Sequence, residues 1–283
     1  MNNRSLAAFV VCFAGTASGQ SISSLVTATF HIDHQGIGGD VMLTEVRLPD
    51  GMYYDQFIHA ASIDEFYFAG GSGKLRVIAG VDTTDTEGSF KLEDLDGNSS
   101  SVSQDDLALF NDRALSAFQN DNLNNYVDIS GNYEFSCVVT FSRTVRDNDP
   151  APDATPEILY FERGSGGSNS WLVIEALDEH GNVMGTPRVM APSEAVASDP
   201  PAMVDTHDSS LQPRNSPQEM TAVPVDLSEL GVEQLDRLRM RTPVNGVDMW
   251  NGSPWTGGEI APDFKLMVVQ TYDVVTPSFL IGD

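Results

Sequence analysis

The stretch that decides the fold runs from Pro156 to Gly185 and reads P-E-I-L-Y-F-E-R-G-S-G-G-S-N-S-W-L-V-I-E-A-L-D-E-H-G-N-V-M-G. Ile158 to Arg163 and Trp171 to Leu177 are two runs of β-branched and aromatic residues, bounded by Pro156 and by turn formers. Between them, Gly164-Ser165-Gly166-Gly167-Ser168-Asn169 supplies residues that accept positive φ and none that needs burial. Symmetric pairing about this loop sets Phe161 opposite Leu172 and Leu159 opposite Ile174, an apolar face of four. Tyr160, Glu162, Trp171 and Val173 line the other face. Gly181-Asn182 marks a second tight turn before Val183, so the stretch predicts a β-meander. Arg163 falls in line with the core face at a strand end, where it forms a structural ion pair, contacts a ligand or snorkels.

The same punctuation continues outward. Leu25–Ile32, Val41–Leu48, one or two runs within Phe57–Phe68, Leu75–Ala79, Tyr126–Ile129, Tyr133–Arg143, Leu235–Met240 and Phe264–Val269 read as strands. Pro49-Asp50-Gly51 and Gly70-Gly71-Ser72-Gly73 read as turns. Between Asp105 and Asn120, apolar residues at Leu107, Phe110, Ala114 and Phe118 recur at helical spacing behind Ser103, Asp105 and Asp106 as caps, which predicts one helix. Residues 187–224 hold seven of the fifteen prolines and little periodicity, so they read as a long irregular excursion with one short strand near Met203-Val204. Asp226 to Leu230 reads as a helical turn. Many short strands, frequent glycine turns and one short helix predict a mainly β protein, an antiparallel β-sandwich with a jelly-roll-like arrangement.

At the N-terminus, Arg4, the short apolar run Leu6–Ala17 and Ala17-Ser18-Gly19 have the form of a secretory signal peptide over residues 1–19. Residues 20–275 are then expected to form a single domain and 276–283 a frayed tail. The run Leu6–Ala17 is too short to span a bilayer, and no later segment is long and apolar enough to cross one. Of two cysteines, Cys12 leaves with the signal, and Cys137 sits in a strand with Phe135, Val139 and Phe141 on its own face. That placement predicts a buried, inert thiol and no disulfide. The 15 basic and 41 acidic residues give a net charge of −26. A charge of that sign excludes general binding to nucleic-acid backbones, argues against electrostatic adsorption to anionic lipid, and suits a salty extracellular medium or a surface that collects divalent cations.

An ordered set of short motifs carries a resemblance. Leu123-Asn124-Asn125-Tyr126-Val127-Asp128 leads into Phe135-Ser136-Cys137-Val138-Val139-Thr140-Phe141. Then come Leu159–Gly164, Asn169-Ser170, Ala176-Leu177-Asp178 with Gly181–Gly185, Val225–Val232 and Ala261–Lys265. In that order they resemble a family of exosortase-dependent bacterial surface proteins, whose members are secreted and often end in a PEP-CTERM sorting tail. The tail's Pro-Glu-Pro, apolar span and basic cluster do not occur before Asp283, which leads to the expectation of a released protein or one held by association. The resemblance implies location and fold and brings no catalytic residues with it.

Three constellations invite chemistry. Asp94-Leu95-Asp96-Gly97-Asn98, with Ser100 and Asp105, offers oxygens at positions 1, 3, 5, 7 and 12 of a calcium loop, although position 6 is Ser99 rather than glycine. Asp94, Asp96, Asn98 and Asp105 are therefore the expected metal ligands, with a plain acidic loop as the alternative. Arg237, Arg239 and Arg241 alternate along one strand, and three guanidiniums on one face can grip carboxylates or sulfates of a polysaccharide. The alternative is cross-strand pairing with the chain's own acids. Trp250 and Trp255 stand in a glycine-rich loop, where tryptophans either stack on sugar rings or plug a sandwich end. His31-Ile32-Asp33-His34 places its two imidazoles on opposite faces of a strand, which disfavours zinc. Nucleophile elbow, phosphate loop and zinc-protease motifs are missing from the sequence, and no acidic pair singles itself out for glycoside hydrolysis. The expectation is a secreted, non-catalytic surface or matrix protein that binds polysaccharide or a surface partner. A secreted polysaccharide hydrolase or lyase is the alternative.

Overall fold

A computed structural model describes residues 24–29, 41–48, 53–69, 74–78, 114–123, 125–130, 134–147, 156–163, 171–197, 203–204, 218–256 and 263–269. The strands are β1 (Ser24–Thr29), β2 (Val41–Arg47), β3 (Tyr53–Tyr54), β4 (Phe57–Ile58), β5 (Ala60–Ala69), β6 (Lys74–Ile78), β7 (Tyr126–Ser130), β8 (Glu134–Arg146), β9 (Ile158–Arg163), β10 (Leu172–Leu177), β11 (Val183–Met190), β12 (Val196–Ala197), β13 (Met203–Val204), β14 (Gln218–Val225), β15 (Gln234–Arg241), β16 (Met249–Trp250), β17 (Ser253–Pro254) and β18 (Asp263–Val269). One short α-helix, α1, spans 114–118. Two 3-10 turns, Pro192–Glu194 and Leu227–Leu230, complete the inventory of the described residues.

The two runs of the deciding stretch do not pair with each other. β9 lies between β14 and β18, with Phe161 opposite Ala222 and Lys265. β10 lies between β11 and β15, with Ile174 opposite Arg188 and Met240. The chain crosses from one sheet to the other between them, so only β10 and β11 form the expected hairpin. The physical reason is burial on both faces: five of the six β9 residues and all six of β10 are buried. Runs this apolar carry no inside–outside alternation to fix a partner, and each is most stable as an inner strand of its own sheet. Glu162, expected on the face opposite the apolar four, is accordingly 3% exposed.

Five strands stand in the order β11-β10-β15-β8-β5, and the larger sheet reads β12-β14-β9-β18-β7-β6, with β4 on β18 and β13 on β14. All described pairings are antiparallel. Omitting the flanking strands leaves β14-β9-β18-β7 facing β11-β10-β15-β8, with successive strands β7 to β10 alternating between sheets. That is the two-Greek-key order of a jelly roll.

The main core fills the space between these sheets. Phe135, Cys137, Val139 and Phe141 of β8, Leu172 and Ile174 of β10, and Leu238 and Met240 of β15 meet Ile158 and Tyr160 of β9 and Val223 and Val225 of β14. Cys137 is wholly buried among them, and burial pushes its thiol far above the usual range. The thiol is therefore the inert packing group that its neighbours in sequence predict. Ala114, Ala117 and Phe118 of α1 close the same core; the remainder of the expected helix, from 105 to 113, lies outside the described residues. On its other face the larger sheet presents Leu159, Phe161, Met220 and Ala222 to Val41, Leu43, Val46 and Tyr54 of the β1-β2-β3 sheet. Leu159 and Phe161 thus serve a second core, not the one that holds Leu172 and Ile174.

The expected excursion over 187–224 needs correcting. β11 continues to Met190, β12 forms a short pairing with β14, and the short strand expected near Met203-Val204 is present as β13; residues 198–202 and 205–217 lie outside the described residues. Gln218–Val225 is a full strand beside β9. Pro224 disguised it, because proline donates no ladder hydrogen bond and reads as a strand breaker. Here its carbonyl accepts instead, from Arg188 Nη1 at 3.1 Å. The expected signal peptide at 1–19, the His31–His34 cluster and the tail at 276–283 lie outside the described residues.

Candidate functional site

Antiparallel pairing puts Arg237, Arg239 and Arg241 on the face of the five-stranded sheet that carries Val173, Glu175 and Leu177. Glu175 is the organiser. Its side chain is 4% exposed, and it accepts from Arg239 Nε at 2.5 Å and from Arg241 Nε and Nη2 at 2.9 and 2.8 Å. Arg241 also grips Asp248 with both terminal nitrogens, Nη1 to Oδ2 at 2.7 Å and Nη2 to Oδ1 at 2.6 Å. Burial alone pushes the Asp248 carboxyl up, but the Arg241 hydrogen bonds, the Val244 N–H and the Arg241 charge outweigh it and hold the group below the usual carboxylate range. Arg237 stands apart, 3.6 Å from Glu65 and donating to the Glu179 carbonyl. Arg239 and Arg241 are thus engaged by the chain's own acids, the alternative the sequence left open.

The tryptophans divide in the same way. Asn251 (φ 48°) and Gly252 (φ 74°) form the tight turn between β16 and β17, since both tolerate left-handed backbone. This hairpin stands beside β11. Trp255 follows it and is 5% exposed, packed with Val173 and Val189. It plugs the outer face of the five-stranded sheet. Trp171 meets Trp250 edge-on at 4.7 Å and Trp255 at 6.1 Å. Trp250 keeps part of its surface in solvent.

Trp250 also lines a cavity of about 420 Å³ at the edge of the sandwich, with Met249, Asn251, Arg188, Glu194 and Glu229. A bulge in β11 builds it. Ile174 pairs Arg188 while Ala176 pairs Met184, so Gly185 to Pro187 loop out of register and carry Arg188 across toward the larger sheet. Arg188 donates from Nη2 to Glu194 at 2.9 Å, and its Nε lies 2.9 Å from Glu229. Burial pushes the Glu229 carboxyl above its ordinary value, Arg188 pulls it back in part, and the charges of Asp226 and Glu194 push it up again. The outcome is a groove with an aromatic wall, an exposed methionine and two carboxylates clamped on one guanidinium. It can take a polar ligand that has an apolar face.

Sequence reasoning singled out Trp250 but none of its partners in the groove, which come from five separate elements. The Asn-Gly pair after Met249-Trp250 was the available signal for an exposed hairpin tip. The predicted calcium ligands Asp94, Asp96, Asn98 and Asp105 lie outside the described residues. Arg163, at the end of β9, donates to the Tyr126 hydroxyl at 3.0 Å with its guanidinium 5.2 Å from that ring's centre. Among the described residues no helix is long and apolar enough to cross a membrane.

No family model, no curated protein and no solved structure matches the chain.

Proposed function

We propose that this jelly roll is a secreted, non-catalytic surface or matrix protein that binds polysaccharide in the groove beside Trp250. The carrying observation is the joint placement of a part-exposed tryptophan, the 53%-exposed Met249 and a fixed Arg188–Glu194–Glu229 cluster around about 420 Å³. Sugar rings have an apolar face that stacks on indole and a rim of hydroxyls that bond to carboxylates and guanidinium. The leader-like pattern of residues 4–19 supports export, and the resemblance to exosortase-dependent surface proteins agrees with it. The fold itself carries no activity, because jelly rolls host many. Calcium at Asp94, Asp96, Asn98 and Asp105 belongs to the same proposal, as does a surface partner in place of the glycan.

The test is a glycan array probed with the wild-type chain and with Trp250→Ala. The reading expects binding that falls about tenfold or more in the variant, the loss of one well-packed aromatic contact. No bound glycan, or equal binding by both proteins, contradicts it. One observation favours a hydrolase instead: Glu229, its carboxyl raised by burial, shares the groove with Glu194, the kind of pairing acid–base cleavage uses. Turnover of a bound glycan that is abolished in Glu229→Gln decides for that reading.

A further inference from the structure

The 3-10 turn that carries Glu229 starts at a second acidic group, since Asp226 is its N-cap. Asp147 follows β8, Glu157 precedes β9 and Asp226 follows β14. The ladder brings them together, because Ile158 pairs Val225 and the Glu157 N–H donates to the Val225 carbonyl at 3.1 Å. Asp147 N–H is tied to the Glu233 carbonyl at 2.9 Å, just ahead of β15. One carboxylate oxygen from each of the three lies within 4.8 Å of the others.

Proximity of acids alone defines no site, and here the burial adds a separate observation. Glu157 and Asp226 are each 1% exposed. Backbone donors meet part of their charge: Leu227 N–H gives to Glu157 Oε2 at 3.0 Å, and Ser228 N–H to Asp226 Oδ1 at 2.7 Å. Asp226 Oδ2 is left buried with no hydrogen-bond partner. A carboxylate oxygen withdrawn from water and given nothing to accept from is costly, and a bound cation shared with the two neighbouring carboxylates removes that cost, as protonation or an ordered water would for a lone group.

We propose that Asp147, Glu157 and Asp226 hold a hard divalent cation, calcium by preference. Two oxygens on one calcium can stand up to roughly 5 Å apart, twice the usual bond length, which suits the trio. Magnesium keeps several waters and takes one or two carboxylates, whereas zinc favours imidazole and thiolate, which the trio lacks. The ion fastens the end of β8, in the five-stranded sheet, to β9 and β14 in the larger one. Among the described residues no disulfide links the two sheets, since Cys137 is a free, buried thiol. The trio shares no residue with the Asp94–Asp105 loop or with the glycan groove.

The experiment uses the full chain, stripped with chelator and transferred to metal-free buffer, then titrated calorimetrically with calcium chloride and with magnesium chloride. Thermal unfolding is followed with and without calcium. The expected result is saturable calcium binding stronger than magnesium binding, and a melting temperature raised by several degrees. Asp226→Asn keeps a residue able to cap the 3-10 turn, so the fold is retained while calcium affinity drops roughly tenfold or more. Asp94→Ala/Asp96→Ala should keep the calcium response of this site. If Asp226→Asn fails to fold, Asp147→Asn, at the more exposed corner, must weaken calcium in its place. Absent calcium binding overturns the proposal. So does wild-type affinity in the folded aspartate variant, or a calcium response lost wholly with Asp94 and Asp96.

Discussion

At the scale of single residues, the two tryptophans of one loop have opposite duties. Trp255 is a plug, so Trp255→Ala opens a void against Val173 and Val189 and should cost about 3–5 kcal/mol. Trp250→Ala removes a part-exposed ring and should cost clearly less while lowering glycan binding. Urea unfolding of both variants checks the order; equal losses contradict the division. Asp248 offers a pH signature. Its folded pKa lies below its unfolded value, so its stabilising effect is complete above the unfolded value of about 3.9 and is lost as pH falls through the lower folded one. The stability difference between wild type and Asp248→Asn should be constant from pH 7 to about 5 and shrink below about pH 4. A difference that grows on acidification contradicts the Arg241–Asp248 assignment. The buried role of Cys137 was readable from its neighbours, because period-two alternation survives wherever one face is core. The pairing of Glu175 with two arginines was not, since forty-one acids leave too many candidate partners.

Among elements, strand existence was far more legible than strand partnership. β8, β15 and β18 announced themselves by composition. β9 and β10 did too, yet their apolar character hid the fact that they belong to different sheets. β14 was masked by Pro224. The bulge in β11 had only Gly185 as a visible trace, and that glycine is indispensable: its φ is +60°, and a Cβ there would lie 1.9 Å from the Leu230 carbonyl oxygen. That backbone atom cannot step aside without moving the Leu227–Leu230 turn. Gly185→Ala should therefore destabilise the protein by several kcal/mol, beyond the roughly 1 kcal/mol of an ordinary left-handed glycine, and displace Glu229 from the groove. A variant with wild-type melting and wild-type glycan affinity would show that β11 does not press on the turn.

At the scale of the whole molecule, the jelly roll brings the β11 bulge, two 3-10 turns, Pro224 and the β16–β17 hairpin to one edge, where they line the groove proposed to bind glycan. No local sequence window could contain that site, since its residues span positions 187 to 251. Composition does speak at this scale: a net charge of −26 and a single cysteine beyond the leader-like segment agree with a protein held by packing and, as proposed, by ions. The most direct measurement is hydrogen exchange read by mass spectrometry, with and without the oligosaccharide that binds best on the array. Slowed exchange is expected in peptides covering 187–194, 226–231 and 249–252, and none of this protection in Trp250→Ala. Protection confined to other segments, or unchanged by the substitution, would contradict it.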